Sequence, residues 1–376
     1  MTGTGMAGGA GGTGAAGGTG EVTAGAATKD GSSAAEGTPA MDGPSVTAGA
    51  GGGPAAGTGT AAPRRGPLRG LPWLVWRRHR TLLWIALVVT VAGCALFAYQ
   101  RIGVVDFLHA HGAAPKPGGR AEADFQSLFG PMFSGDLQLV TSLPVLAGIF
   151  LGAPLIAGEQ EQGTIRLVTT QSVSRARWIT AALGLPLTVA AGCAVLLSAA
   201  FTWLWSPARN LVGGGDWLQS GAFDGTGPVP VAMTLFLTAC GIALGTVIRR
   251  VVPAMAATAV FTAVGSVLWT EKIIPRLGTP RSTSYPYDGE GPALPPGSVR
   301  IDDWVSTADG RLYGFGTCVD GASDACRARL GIVNRVTQYF DLSQMAGMQW
   351  LGAGILLALA VAVLAFVVWR AHRRPL

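Results

Sequence analysis

The chain has 376 residues, 49% of them apolar and only 13% charged, with a mean hydropathy of +0.40, whereas an ordinary soluble domain carries roughly 25% charged residues. That charge deficit argues against a pair of soluble domains and points to lipid. The formal net charge of +6 does not indicate nucleic acid, because the basic residues flank apolar runs and form no basic groove.

Residues 1–62 are dominated by Gly, Ala, Thr and Ser, contain no aromatic residue, and carry only Glu21, Lys29, Asp30, Glu36 and Asp42 as charges. Such a segment cannot bury enough apolar surface to repay the entropy of ordering, so a disordered tail is expected, read either as functional or as the product of a mis-assigned start codon. A basic start followed by a compact apolar run is missing, which argues against a signal peptide. In the basic segment 63–81, Leu68, Leu71, Trp73, Leu74 and Trp76 alternate with arginines that include Arg77, Arg78 and Arg80, the pattern of a short helix resting on the inner leaflet.

Six apolar stretches follow, at about 82–99, 139–158, 179–203, 231–247, 252–270 and 348–369. Each is long enough to cross about 30 Å of hydrocarbon at about 1.5 Å per residue. None has an Asp, Glu, Lys, Arg or His in its interior, and one such charge at a helix centre costs roughly 2.5–3.5 kcal/mol on insertion scales. The fold class expected is therefore an all-α integral membrane protein with six transmembrane helices: five within 82–270, the sixth within 348–376. Arg249 and Arg250 separate the fourth and fifth stretches and predict a helical hairpin with a very tight turn.

Arginines set the orientation. They cluster before the first stretch, after the second (Arg166, Arg175, Arg177), after the fourth (Arg249, Arg250) and after the last (Arg370, Arg373, Arg374), all on one side. By the positive-inside rule that side is the cytoplasm, which places both termini inside and makes 271–347 a large extracellular loop. Trp84, Trp178, Trp203, Trp205, Trp269, Trp350 and Trp369 fall near stretch ends, where an amphipathic ring favours the headgroup region. Arg77, Arg78, Arg80, Arg175, Arg177, Arg249 and Arg250 are the expected membrane anchors.

Cys318 and Cys326 are the two cysteines outside the stretches, and in an oxidising exterior a disulfide is expected between them. Cys94, Cys193 and Cys240 sit one per stretch and read as small apolar side chains. His109 and His111, with Asp106 nearby, either touch a metal or belong to a solvated first loop; no further ligand has suggestive spacing, and no metal site is assigned. Gly148 and Gly152 form a small-x-x-x-small face between Pro144 and Pro154, which marks close helix packing, a hinge, or merely loose bundle composition. No nucleophile elbow or zinc-protease motif occurs, so no catalytic residue and no cofactor is expected.

Between the second and third stretches the chain reads Gly152-Ala-Pro-Leu-Ile-Ala-Gly-Glu159-Gln-Glu161-Gln-Gly163-Thr164, then a short apolar strip, then Ser172-Val-Ser-Arg175-Ala-Arg177. Physically this is a helix leaving the membrane and ending at Gly163, an amphipathic piece, and a serine-capped return. With Trp73-Leu-Val-Trp-Arg-Arg-His-Arg80 and Gly245-Thr-Val-Ile-Arg-Arg-Val-Val-Pro-Ala254, the pattern resembles the permease subunits of ABC transporters of the type-2 exporter class, more narrowly an actinobacterial branch. The likeness covers most of the chain after residue 70 except the large outer loop, and departs at Gly158, where that family usually carries arginine.

The resemblance implies a cytoplasmic coupling loop at 159–177 docking on a separate ABC ATPase subunit. Glu159 and Glu161 would anchor the second helix, Gly163 would make the turn, Thr164 would start the coupling segment, and Ile165, Leu167 and Val168 would present its apolar face. It also implies a second permease protomer, alike or different, beside membrane lipid in a bacterial plasma membrane. A phosphate-binding loop needs lysine after glycine, and none of Lys29, Lys116 and Lys272 follows one, so ATP hydrolysis is expected from the partner chain. Charge-free stretches favour that external energy source over ion coupling and an apolar or amphipathic substrate. The alternative expected is a membrane sensor or immunity component that binds the ATPase without bulk transport.

Overall fold

The computed structural model describes residues 71–112, 119–162, 175–319 and 323–373. It holds six helices long and apolar enough to cross a membrane. They are α1 (Leu71–His111), α2 (Arg120–Glu161), α3 (Arg175–Trp205), α4 (Val229–Ile248), α5 (Val251–Leu268) and α6 (Leu342–Arg373). The molecule is mostly helical, in keeping with the all-α membrane class. Gly163, Thr164, Ile165, Leu167 and Val168 lie outside the described residues, as do the side chains of Arg78, Arg175 and Arg177.

The helix α4 sits in the middle, against α2, α3, α5 and α6. Its most apolar window is 56% buried, whereas that of α5 is 17% buried, which leaves most of α5 to face lipid or another chain. Small residues fit α4 for the centre. Thr234, Thr238 and Thr246 are buried, and each hydroxyl donates to the carbonyl four residues earlier, so none of these three is left unpaired.

Against α4 lies the distorted middle of α2. A π turn, Ala147–Gly152, interrupts the α-helix just before Pro154, whose missing N–H removes one rung of the ladder. A Cβ on Gly241 would strike the Gly148 carbonyl oxygen, one on Gly152 the Thr238 carbonyl, and one on Gly245 the Ala153 carbonyl. Only glycine permits this backbone-to-backbone approach, so of the readings open for Gly148 and Gly152 the structure displays close packing.

At one end of the bundle Leu155 and Ile156 of α2, Leu183 of α3, Ile242 of α4, and Val367 and Ala371 of α6 form a small core. The opposite end carries the larger core, which includes Phe97, Phe125, Phe201, Trp217, Phe223 and Phe340. Here the chain between α3 and α4 folds over the helix ends through two 3-10 turns and the helical turn Ala222–Gly225.

Residues 271–347, expected as a loop, instead build a four-stranded antiparallel sheet in the order β1-β4-β2-β3. The strands are β1 (Arg281–Pro286), β2 (Val299–Thr307), β3 (Leu312–Gly314) and β4 (Ile332–Phe340). Val299, Val305, Ile332, Val336 and Phe340 are its buried apolar residues. A short helix, Ser323–Leu330, leads into β4, and Cys318 and Cys326 are joined by a disulfide with Cα atoms 5.6 Å apart. Two expected boundaries move. The helix α6 begins at Leu342, and α1 runs on to His111, so His109 and His111 occupy its last turn and no loop; the His111 ring stacks on Phe107.

Candidate functional site

The end of α2 that leads into residues 163–174 is fastened to the α4–α5 hairpin. Arg249 takes a left-handed conformation (φ 61°) and Arg250 is extended, so the helices are joined by two residues only. Arg250 precedes the first residue of α5 without capping it through its side chain. Glu161 supplies the cap from the other helix: the Val251 N–H donates to Glu161 Oε2 at 3.0 Å. A carboxylate at a helix start satisfies an orphan donor and meets the positive end of the helix dipole. Below it, Ala153 and Ala157 pack on Ala254. Glu159 lies one position from Gln160, whose amide is buried. Arg77, Arg80, Arg249 and Arg250 are exposed.

The structure thus brings Glu159, Glu161, Arg249 and Arg250 to one end of the bundle. Sequence reasoning missed the tie from Glu161 to Val251, 90 residues away; the signal was the absence of Ser, Thr, Asp or Asn before α5.

At the sheet-bearing end a second polar system joins four elements. The buried Trp217 donates from Nε1 to the Gly297 carbonyl at 3.0 Å and packs on Phe223 and Phe340, which ties the sheet to residues 206–228. The Trp269 indole, at the end of α5, donates to Asp224 Oδ1 at 2.8 Å. Burial pushes the Asp224 carboxyl up to about 6 against the relief given by that hydrogen bond. Gln349 of α6, 6% exposed, donates to the carbonyls of Phe223 and Thr226. Gly227 has φ 65° and sits so close to the Gln349 amide that a side chain there would collide with it.

The charge-free character expected of the spans holds for 139–158 but not for the whole of α2. Asp136 is 4% exposed and accepts from Gln100 Nε2 of α1 at 3.1 Å, while its Oδ2 has no partner among the described residues. Nearby, the Arg101 guanidinium lies 4.1 Å from the centroid of the Trp203 ring and donates to the Trp203 carbonyl. Both acidic and basic groups therefore collect where α1, α2 and α3 approach the sheet-bearing end.

Comparison with known proteins adds one match. Residues 87–273, just under half of the chain, match the family model described as ABC-2 membrane transporter related. No curated protein and no solved structure matches. The matched stretch contains α2 to α5, the Glu161–Val251 contact and the glycine packing, and it stops before the sheet. With the six apolar helices, it supports an ABC-2 type permease: a multi-pass membrane component of a transporter, in a family that works with an ATPase subunit.

Proposed function

We propose that this chain is the permease half of an ATP-driven exporter, of the actinobacterial branch, that moves an apolar or amphipathic substrate across a bacterial plasma membrane. The observation that carries the reading is the fastening of α2 to both α4 and α5 immediately before residues 163–174. A push delivered to that loop by an ATPase would reach three helices at once. Both termini and the loop at 159–177 then face the cytoplasm, and the sheet with its Cys318–Cys326 disulfide faces an oxidising exterior. A second protomer, identical or not, would cover the largely exposed apolar face of α5.

The test is reconstitution of the full chain with its ATPase subunit in proteoliposomes. Movement of an amphipathic dye that requires ATP, and loss of ATPase co-purification on deletion of residues 164–168 with membrane insertion retained, are the expected results. Undiminished co-purification of the deletion variant would overturn the docking assignment. The sensor reading draws support from one specific feature, the docking of the sheet on residues 206–228 through Trp217. Ligand binding to the sheet that changes ATPase activity, with no flux in any nucleotide state, would favour it.

A further inference from the structure

We propose that the slot between α1, α2 and α3 binds a phospholipid of the leaflet on the Arg80 side, with one acyl chain in the slot and the phosphate on the Arg80 guanidinium. The slot has a volume of about 380 Å³, within the usual range of small-molecule sites. Ala86, Ala147 and Ala190 leave it open, since each brings only a methyl group to the place where the three helices face one another. Its rim, Ile85 and Val89 of α1 with Leu146 and Phe150 of α2, is exposed, and its floor includes the buried Leu83, Cys193 and Thr234. The chemistry of the walls selects hydrocarbon. Among the described lining residues Thr234 alone carries an oxygen in its side chain, and that hydroxyl already donates to the Pro230 carbonyl at 2.7 Å. Water gains little in such a space, whereas a lipid chain entering from the surrounding bilayer gains contacts on every side.

Depth sets the length of the chain and places its head. Arg80 and Arg101 bracket the uncharged run 81–100 of α1, which at about 1.5 Å per residue spans about 30 Å, the thickness of the hydrocarbon. The two arginines therefore mark the two interfaces. Val89, the farthest lining residue along α1, lies about 14 Å from Arg80 on the helix axis, close to half that thickness. The slot is thus about one leaflet deep. Toward the interface it meets, along Ile85 and Val89, an open groove lined by Val88, Trp84 and Arg80. Arg80 is exposed there and has no carboxylate partner among the described residues, and α1 holds no acidic residue before Asp106. Phosphate is the anion that a bilayer presents at that level, and the guanidinium fork matches it with paired N–H donors.

The site requires only that the chain cross a bilayer, and its test needs neither ATP nor a partner, so it and the permease reading fail separately. The full chain, delipidated in maltoside micelles and phosphate-free buffer, receives phosphatidylglycerol whose acyl chain carries a diazirine. On irradiation the diazirine loses dinitrogen, and the resulting carbene inserts into a neighbouring C–H bond. Adducts should concentrate on residues 82–89, 143–151 and 189–193. Arg80→Gln should lower that labelling about three- to tenfold at sub-saturating lipid, and Arg80→Lys by less, because it keeps the charge. A diacylglycerol with the same diazirine chain, which lacks the phosphate, should label the parent chain as weakly as phosphatidylglycerol labels Arg80→Gln. Ala190→Phe, which fills the slot, should abolish the labelling; thermal unfolding checks that it is folded, and Ala86→Phe, on the α1 wall, is the second blocking variant. Adducts spread evenly over the exposed faces of α5 and α6, labelling unmoved by Arg80→Gln, or equal labelling by the diacylglycerol would overturn the proposal.

Discussion

Glu161 illustrates how one carboxylate can be legible in a sequence while its work is not. The Glu-x-Glu pair marks the end of α2, but its acceptor role depends on an amide at Val251 brought there by the hairpin turn. Glu161→Ala should lower stability by about 1 kcal/mol, as for the loss of other helix caps, and Glu161→Gln by less, because it keeps an acceptor oxygen. Thermal unfolding in detergent measures both. It follows that Glu161→Arg is a poor probe of ATPase docking, since it would also place a cation at the positive end of α5.

Asp224 carries a second residue-scale prediction. Its carboxyl titrates at about 6 in the folded protein, up from an ordinary 3.8, because burial disfavours the charge. Between those two values the folded chain keeps a proton that the unfolded chain has lost, so stability falls as pH rises through the window and the loss is complete above it. The loss is on the order of 3 kcal/mol. Asp224→Asn keeps an acceptor for the Trp269 indole and never ionises. Its melting temperature should be nearly flat from pH 4 to 7, whereas that of the parent chain falls; parallel curves would exclude Asp224 as the source. Nothing in the sequence marked Asp224 or Gln349, because an isolated polar residue beside apolar runs has no spacing to read.

At the scale of elements, the six helices were legible because bilayer thickness imposes a length and an apolar composition that few other structures share. Their ends were not, since α1 and α2 continue past the apolar stretches with amphipathic residues such as Arg101 and Asp136. The sheet was hidden for the opposite reason. Its first strand reads Arg-Ser-Thr-Ser-Tyr-Pro from Arg281, with no apolar run, and is held by pairing with β4, about 50 residues later, and not by local propensity.

The glycine contacts between α2 and α4 were half visible, for Gly148 and Gly152 show a spacing whose partners, Gly241 and Gly245, declare themselves only when the helices meet. Gly241→Ala sets a methyl group against a backbone oxygen that no rotamer change can move, and should cost about 1–3 kcal/mol. Gly265→Ala on α5 meets nothing within 4 Å and should cost nothing measurable. Thermal unfolding of the two variants side by side tests the contact, and a Gly241→Ala melting temperature that is unchanged or raised, as alanine's higher helix propensity alone would give, would exclude it.

For the whole molecule, the two ends of the bundle differ in chemistry. One gathers exposed arginines, Glu161 and the approach to residues 163–174; the other gathers the aromatic core, Asp224 and a sheet bearing a disulfide. Anionic lipid and a negative interior potential favour arginines inside, and a disulfide persists outside, so both asymmetries fit the proposed orientation. The chain offers a clean way to measure it. Among the described residues its free cysteines are Cys94, Cys193 and Cys240, all within helices and none exposed, so background labelling by a membrane-impermeant maleimide is low. Arg249 and Glu290 are exposed at opposite ends, which makes Arg249→Cys and Glu290→Cys suitable reporters. In intact cells the maleimide should label position 290 and leave 249 untouched until the membrane is opened. Labelling of 249 from outside, with 290 protected, would invert the molecule and move the proposed docking loop to the wrong side of the membrane for any cytoplasmic ATPase.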